Sequence, residues 1–160
     1  MQEREACQIW TIGASRVLQR ANPTLVPMSV TVETSLRRAY LATLKQSGPL
    51  LQLIARQAEA FARDENIAAK YGHTCKGLPE DIINFQHDPL ACAIALGWND
   101  GVEISEIPVK SEIKGGWLRQ SVDGSGKPTR VVTRVNGGKF SEFWLNIVMC
   151  KNVVGPVARA

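Results

Sequence analysis

The chain holds two histidines, His73 and His87, so any acid–base role for an imidazole near neutral pH falls to one of them. His87 is the stronger candidate because Asp88 and Pro89 follow it at a predicted helix start. A rigid element would hold the histidine there, and a helix N-terminus favours a nearby anion such as Asp88. The same residues also fit ordinary capping, with Asp88 as the N-cap and Pro89 as the first helical residue. Both interpretations stay open at this point.

Other chemical groups carry weaker signals. Tyr71, Gly72 and His73 follow a long helical pattern and are typical of a C-terminal helix stop with glycine in the left-handed conformation. The run Gly124–Lys127 lacks the spacing of a Walker loop and its following serine or threonine, which excludes a phosphate loop of that type. The four cysteines lie far apart without a C-x-x-C pair, which predicts reduced, mostly buried thiols and no zinc site: Cys7, Cys75, Cys92 and Cys150.

Composition excludes several classes of protein. With 160 residues, 44% hydrophobic and 21% charged residues and a mean hydropathy of −0.10, the chain is typical of one ordinary globular domain. Its longest apolar runs are shorter than the roughly 18–20 residues of a membrane-spanning helix, so we expect no membrane partner. The net charge of +4 is spread along the chain, which argues against a nucleic-acid partner. Because no apolar stretch typical of a secretory signal follows Met1, we expect an intracellular, cytoplasmic protein.

Hydropathy periodicity and chain-breaking residues predict the elements that must position these groups. The front half is predicted to contain a helix over Ala14–Ala21, a buried strand over Thr24–Thr31, a helical stretch over Ser35–Ala69 broken at Gly48–Pro49, a loop over Tyr71–Gln86, and a helix from Pro89. The back half is predicted to contain strands over Val102–Ile107, Trp117–Val122 and Thr129–Val135, then a helix over Phe140–Met149 started by Ser141. This order predicts a single α/β domain over residues 1–160, without repeats or linkers.

The run Phe85–Ala93 resembles the His-Asp-Pro-(Leu/Ile)-Ala-x-Ala signature of the inosine/uridine-preferring nucleoside hydrolases. Thr24–Thr31 is similar to the strand that reads close to Leu-Val-Pro-Leu-Asp-Val-Thr in this family, with Ser29 in place of the usual aspartate. Pro128–Val135 resembles the family's penultimate strand, and Phe140–Met149 resembles its closing helix. The resemblance covers the chain nearly end to end. It implies the C-terminal half of an open, mostly parallel sheet flanked by helices.

The resemblance also implies an activity, the hydrolysis of a ribonucleoside of the inosine/uridine class to ribose and free base. By this resemblance His87 donates the proton to the departing base, and Asp88 ligates a catalytic calcium that holds the water and the ribose hydroxyls. Bond cleavage builds positive charge on the ribosyl ring and negative charge on the base, so an acid is needed on one side and an activated water on the other. Glu5, in a segment similar to the family's Glu-x-Asn-Ile-Trp element, is implied in ribose binding, and Tyr71 in contact with the base.

One motif of the family does not occur in these 160 residues, the Asp-x-Asp-x-x-x-Asp-Asp cluster that supplies most calcium ligands. Calcium takes about 6–8 oxygen ligands, and Asp88 offers at most two. We therefore expect this chain alone to be catalytically incomplete: a fragment, a decayed form, or a chain whose site another chain completes. The alternative is a non-catalytic binding or assembly module derived from the family. The strands missing from this half predict an exposed sheet edge, and so a homo-oligomer or pairing with a complementary half.

Overall fold

A computed structural model describes residues 13–65, 67–71 and 77–149 of the chain, apart from the side chains of Ala68 and Tyr71. These residues form two compact units. Among the described residues, unit 1 comprises residues 13–27 and 104–133, and unit 2 comprises residues 28–103 and 134–149. No helix in the described ranges is both long and apolar enough to cross a membrane.

Unit 1 is built around a four-stranded sheet. Its elements are helix α1 (residues 13–20), strand β1 (Thr24–Leu25), most of strand β4 (Val102–Lys114), strand β5 (Trp117–Val122) and most of strand β6 (Lys127–Val135). The strand order is β1-β6-β4-β5. Strand β1 runs parallel to β6, with Thr24 opposite Arg130, whereas β4 and β5 are antiparallel, with Ile113 opposite Leu118. The three strands predicted for the back half of the chain are all present. β5 has the predicted bounds, whereas β4 continues past Ile107 to Lys114 and β6 begins at Lys127.

The α/β class is confirmed, but this sheet is mixed and mostly antiparallel, where a mostly parallel sheet was expected. The physical reason lies at Gly115 and Gly116, the two residues that join β4 to β5. Their φ angles of 60° and 82° are those of a tight hairpin turn, which glycine adopts without steric penalty. A two-residue connection can only join antiparallel strands, because a parallel pair needs a crossover of a dozen or more residues.

Unit 2 contains the remaining elements. These are helix α2 (Met28–Thr31), strand β2 (Ser35–Arg37), a 3₁₀ turn (Arg38–Tyr40), helices α3 (Leu41–Lys45), α4 (Pro49–Asp64) and α5 (Ile67–Tyr71), strand β3 (Ile82–Phe85), and helices α6 (His87–Ala95) and α7 (Gly137–Val148). Strands β2 and β3 form an antiparallel pair in which Ser35 lies opposite Phe85. The side chains of Arg37 and Asp81 form an ion pair beside this small sheet.

The core of unit 2 forms where α3 and α4 cover the β2–β3 pair. Its buried residues are Leu36, Leu41, Leu44, Leu51, Ala55, Ala58 and Ile83. Leu51, Ala55 and Ala58 recur at helical spacing and give α4 one apolar stripe. Trp144 and Leu145 of α7 pack against the same cluster. A second contact anchors α7, because Phe140 is fully buried and meets the Trp98 ring edge-on at 5.3 Å.

Several predicted boundaries are wrong for identifiable reasons. The strand predicted over Thr24–Thr31 ends at Leu25, since Pro27 has no N–H for a sheet ladder and Met28–Thr31 turns into α2. The helical stretch predicted from Ser35 starts instead with β2, whereas the break at Gly48–Pro49 is confirmed as the start of α4. Helix α7 begins at Gly137 rather than at Phe140. Its N-cap is Asn136, whose side chain accepts a hydrogen bond from the Lys139 N–H.

Candidate functional site

The junction between β3 and α6 positions His87. Ile82, Ile83 and Phe85 of β3 are buried, and α6 starts directly after Gln86. The Gln86 backbone N–H donates to the Thr34 carbonyl oxygen at 2.9 Å, which ties the junction to the segment after α2. Gln86, not Asp88, therefore occupies the N-cap position, and Pro89 is the third helical residue instead of the first. The capping prediction is wrong, so capping does not account for the His-Asp-Pro sequence.

The His87 ring is held by Thr31, the last residue of α2. Nδ1 of His87 lies 2.5 Å from Oγ1 of Thr31, and the Thr31 hydroxyl itself donates to the Met28 carbonyl oxygen at 3.2 Å. A hydroxyl carries one proton, so Oγ1 accepts from the imidazole and Nδ1 is the protonated nitrogen. In the described part of the chain Nε2 makes no hydrogen bond, which leaves this nitrogen available for proton transfer.

Burial and two neighbouring side chains, Asp88 and Phe85, define the surroundings of the His87 imidazole. Burial lowers the pKa of its imidazole below the ordinary value of 6.5, and the adjacent Asp88 carboxylate partly opposes this shift. On its other side the Phe85 ring stacks on the imidazole, with centroids 5.1 Å apart and planes 25° apart. Near pH 7 the imidazole is therefore mostly neutral, with a free lone pair on Nε2. Below its pKa it becomes a stronger acid than an exposed histidine.

Asp88 is exposed in the first turn of α6, where the positive end of the helix dipole favours a carboxylate. Calcium takes about 6–8 oxygen ligands. The described residues contain no group of three or more histidine, cysteine, aspartate or glutamate side chains placed to hold a metal ion. Asp88 and its described neighbours do not by themselves fit the calcium ion that the resemblance implies.

A groove of about 380 Å³ opens beside the same junction. Its apolar lining includes Leu36, Ile54, Phe61, Phe85, Pro89 and Trp144. Gln86 contributes to the lining and is only 4% exposed, yet neither its Nε2 nor its Oε1 finds a hydrogen-bonding partner among the described residues. An orphaned buried amide of this kind costs about 1–3 kcal/mol. His87 and Asp88 do not line this groove, but Phe85, which stacks on His87, does.

Gln86 is the residue that the sequence analysis missed. The only signal available was its polarity, since Gln86 follows the mostly apolar run Ile82–Phe85 and directly precedes His87. The exposed thiol of Cys92 is a second correction, because burial was predicted for it. The apolar run around Cys92 is helical, so only one stripe of α6, with Leu90 and Ala93, is buried.

The other predicted site residues lie wholly or partly outside the described part of the chain, apart from Asp88. Glu5 and His73 lie outside the described residues, as do Cys7, Cys75 and Cys150. Tyr71 is the last residue of α5, and its side chain is likewise outside the described part of the chain. What the described fold does bring together is Thr31 and His87, which are 56 residues apart in sequence.

In comparisons with known proteins, no family model matches the chain, and no curated protein sequence is significantly similar to it. The candidate site therefore stands on its geometry: an imidazole held at Nδ1 by a threonine hydroxyl, open at Nε2, and followed by an exposed carboxylate.

Proposed function

We propose that this chain carries the leaving-group side of a nucleoside hydrolase site, with His87 as the proton donor to the departing base. The observation that carries the proposal is the contact between His87 and Thr31. The two segments that resemble the family, Thr24–Thr31 and Phe85–Ala93, are remote in sequence, and the hydrogen bond joins the end of one to the helix start of the other. The proposal includes a nucleoside hydrolase-like arrangement of which this chain holds the C-terminal half.

The proposed step is the cleavage of the N-glycosidic bond of a nucleoside. The bonding pair leaves with the base nitrogen, and the Nε2–H of protonated His87 transfers its proton to the base. Thr31 fixes the ring through Nδ1, so the proton that can be transferred is on Nε2. A water adds to the ribosyl C1′ and loses its proton to a base that the described residues do not supply. General-acid assistance of this kind contributes about 10²–10⁴-fold to a rate.

The water-activating side of the site must come from elsewhere, because Asp88 alone cannot hold a calcium ion. We propose that a second polypeptide brings the carboxylates, either a complementary N-terminal half or a full-length homologue. Asp88 then contributes one carboxylate to a shared set of oxygen ligands. This chain alone is expected to bind a nucleoside weakly and to hydrolyse none.

A titration tests the acid directly, without turnover. The chain has two histidines, so the imidazole Cε1–H region of its NMR spectrum holds two signals, which His73→Ala assigns. Added inosine is expected to shift the His87 signal and its titration curve while the His73 signal stays in place. Inosine at millimolar concentration that leaves the His87 signal unmoved would contradict the proposal.

Ribose release tests the reaction. The purified chain with calcium is assayed on inosine and uridine, alone and with an added Asp-rich N-terminal half of a nucleoside hydrolase. Release is expected only in the mixture, and His87→Ala is expected to lower it about 10²–10⁴-fold. Cys92→Ser changes another exposed residue of the same helix and should leave the rate unchanged. Release that His87→Ala does not reduce would remove His87 from the mechanism.

A non-catalytic binding or assembly module is the second candidate, and one observation favours it. The described residues hold no group of three or more histidine, cysteine, aspartate or glutamate side chains placed to hold a metal ion. Calcium separates the two candidates when the chain is mixed with the Asp-rich half: micromolar calcium binding that Asp88→Asn weakens supports a shared catalytic site. The absence of calcium binding in the mixture supports the module.

A further inference from the structure

Strand β5 lies at one edge of the four-stranded sheet, and no other strand of the described residues pairs with its outer side. Five of its six residues are exposed, and Val122 and Trp117 retain 73% and 65% of their accessible surface. Proteins usually protect such edges with charged side chains, lysine especially, with proline or with a bulge. The β5 sequence Trp-Leu-Arg-Gln-Ser-Val has one charged residue, Arg119, and neither lysine nor proline, and its register with β4 is continuous from Trp117 to Val122. The edge is therefore competent to pair with another strand.

The hairpin geometry decides which backbone groups face outward. Lys114 and Trp117 flank the two-residue turn and form its closing hydrogen-bonded pair, so Arg119 and Ser121 also direct their backbone groups to β4. The hydrogen bond from the Asp123 N–H to the Pro108 carbonyl oxygen, at 3.0 Å, continues this alternation beyond the strand. The N–H and C=O groups of Leu118, Gln120 and Val122 consequently point away from the sheet.

We propose that β5 pairs antiparallel with β5 of a second copy of this chain, centred on Gln120. A two-fold axis perpendicular to the sheet then places Gln120 opposite the second copy's Gln120 and Leu118 opposite its Val122. All the outward backbone groups of both strands are used, in about six main-chain hydrogen bonds. Each Val122 gains an apolar cross-strand neighbour, and these residues share a face with Ile113, which is 47% exposed.

The register centred on Arg119 fits less well. Centring the pair on Arg119 places the two Arg119 guanidinium groups directly opposite one another, and Val122 loses its contact with Leu118 of the second copy. In the register centred on Gln120, each Arg119 lies opposite Ser121 instead. The two-fold symmetry also limits the assembly to two copies, because each copy uses its β5 edge once. The other edge of the sheet is β1, which is two residues long, so the dimer is an eight-stranded sheet with a short edge at each end.

The inference does not depend on the proposed function and is tested on the full chain in solution. Light scattering is expected to give a dimer, twice the 17.5 kDa of the chain, at about 100 µM. Val122→Lys is expected to shift the dissociation constant at least about tenfold toward the monomer, because a lysine replaces the Leu118 contact at the edge. Val17→Lys changes an exposed valine of α1 and should leave the dimer intact. A monomer at 100 µM, or equal effects of the two lysines, would overturn the proposal.

Cross-linking tests the register. In a background with the four native cysteines replaced by serine, Gln120→Cys puts two thiols opposite one another across the axis, within the distance of about 4.4–6.8 Å between Cα atoms that a disulfide spans. Arg119→Cys places its thiols diagonally, beyond that range. Oxidation is expected to give a covalent dimer for Gln120→Cys and little for Arg119→Cys. The reverse result would refute this register, and circular dichroism of each variant confirms that the fold is intact.

Discussion

The β4–β5 hairpin of unit 1 and the β3–α6 junction of unit 2 are built in opposite ways. Every contact that defines the hairpin joins residues close in sequence, from Lys114 opposite Trp117 to Val109 opposite Val122. The junction depends on remote partners, since Gln86 bonds to Thr34 and His87 to Thr31. The hairpin is exposed along most of its length, whereas the strand before the junction is mostly buried.

Because of this difference, we expect the hairpin and the junction to respond differently to substitution. A hairpin specified by its turn glycines tolerates changes of its exposed side chains, because few of them are packed. The junction has little such freedom, since a side chain there is fixed by contacts from several elements. The candidate acid and the orphaned amide both lie at the junction. Substitutions in the packed parts of unit 2, which include the junction and α7, should therefore have larger effects than substitutions in the hairpin, and the following experiments measure that difference.

The largest expected effect on stability comes from the buried part of α7 in unit 2. Phe140→Ala removes a fully buried ring that contacts Trp98, and the free energy of unfolding should fall by about 3–5 kcal/mol. Trp117→Ala removes an aromatic ring that is mostly exposed at the end of the hairpin, and the change should stay within about 0.5 kcal/mol. Urea denaturation followed by circular dichroism gives both values. Similar losses of unfolding free energy for the two variants would contradict the expected difference between the packed and the exposed region.

Gly137 and Gly138 of α7 allow the effect of steric clash to be separated from the effect of helix propensity. A Cβ on Gly137 would lie 1.9 Å from the carbonyl oxygen of Glu33, so Gly137→Ala forces backbone movement and should destabilise unit 2 by about 1–3 kcal/mol. At Gly138 the nearest heavy atom would be 3.4 Å away, on the side chain of Asn136. Gly138→Ala should therefore be neutral or stabilising by up to about 1 kcal/mol. Thermal unfolding measures the effect of both substitutions. Equal melting temperatures for the two variants would contradict the close approach of Gly137 to the Glu33 carbonyl oxygen.

The orphaned amide predicts a gain in stability. Gln86→Met keeps the side-chain length and removes two buried polar atoms without partners, so the free energy of unfolding should rise by about 1–3 kcal/mol. Gln57→Met provides the control, because Gln57 lines the same groove but is exposed. Its effect should stay within about 0.5 kcal/mol. A destabilised Gln86→Met would show that the amide makes a favourable interaction in solution.

The smallest expected effect is on pH dependence. Burial lowers the pKa of His87 in the folded chain, so the unfolded chain binds a proton more readily. This contribution to stability is fully present above about pH 6.5 and is lost as the pH falls through the lowered folded pKa. His87→Gln should flatten the dependence of the urea midpoint between about pH 7.5 and pH 5.5. An unchanged slope in the variant would assign the dependence to other groups.

Sequence alone predicted the parts of the fold that depend on local pattern. Strand β5, the break at Gly48–Pro49 and the α/β class follow from alternation, turn residues and helix breakers. Ser35–Arg37 lies in a helix-like pattern but forms a strand, because β3, about 50 residues later, pairs with it. The prediction of His87 as the candidate imidazole came from its neighbours in sequence. Its partner Thr31 and the buried amide of Gln86 follow from tertiary contacts, which no local pattern encodes.

The position of α7 has a consequence for the timing of folding during synthesis. Trp144 packs against the buried cluster that includes Leu36, and 144 − 36 = 108 residues separate the two. At translation rates of about 5–20 residues per second, the ribosome needs about 5–20 s to make that stretch. During this interval the apolar residues of α3, α4 and the β2–β3 pair have no α7 to cover them. The nascent chain is therefore expected to engage ribosome-associated chaperones until α7 emerges.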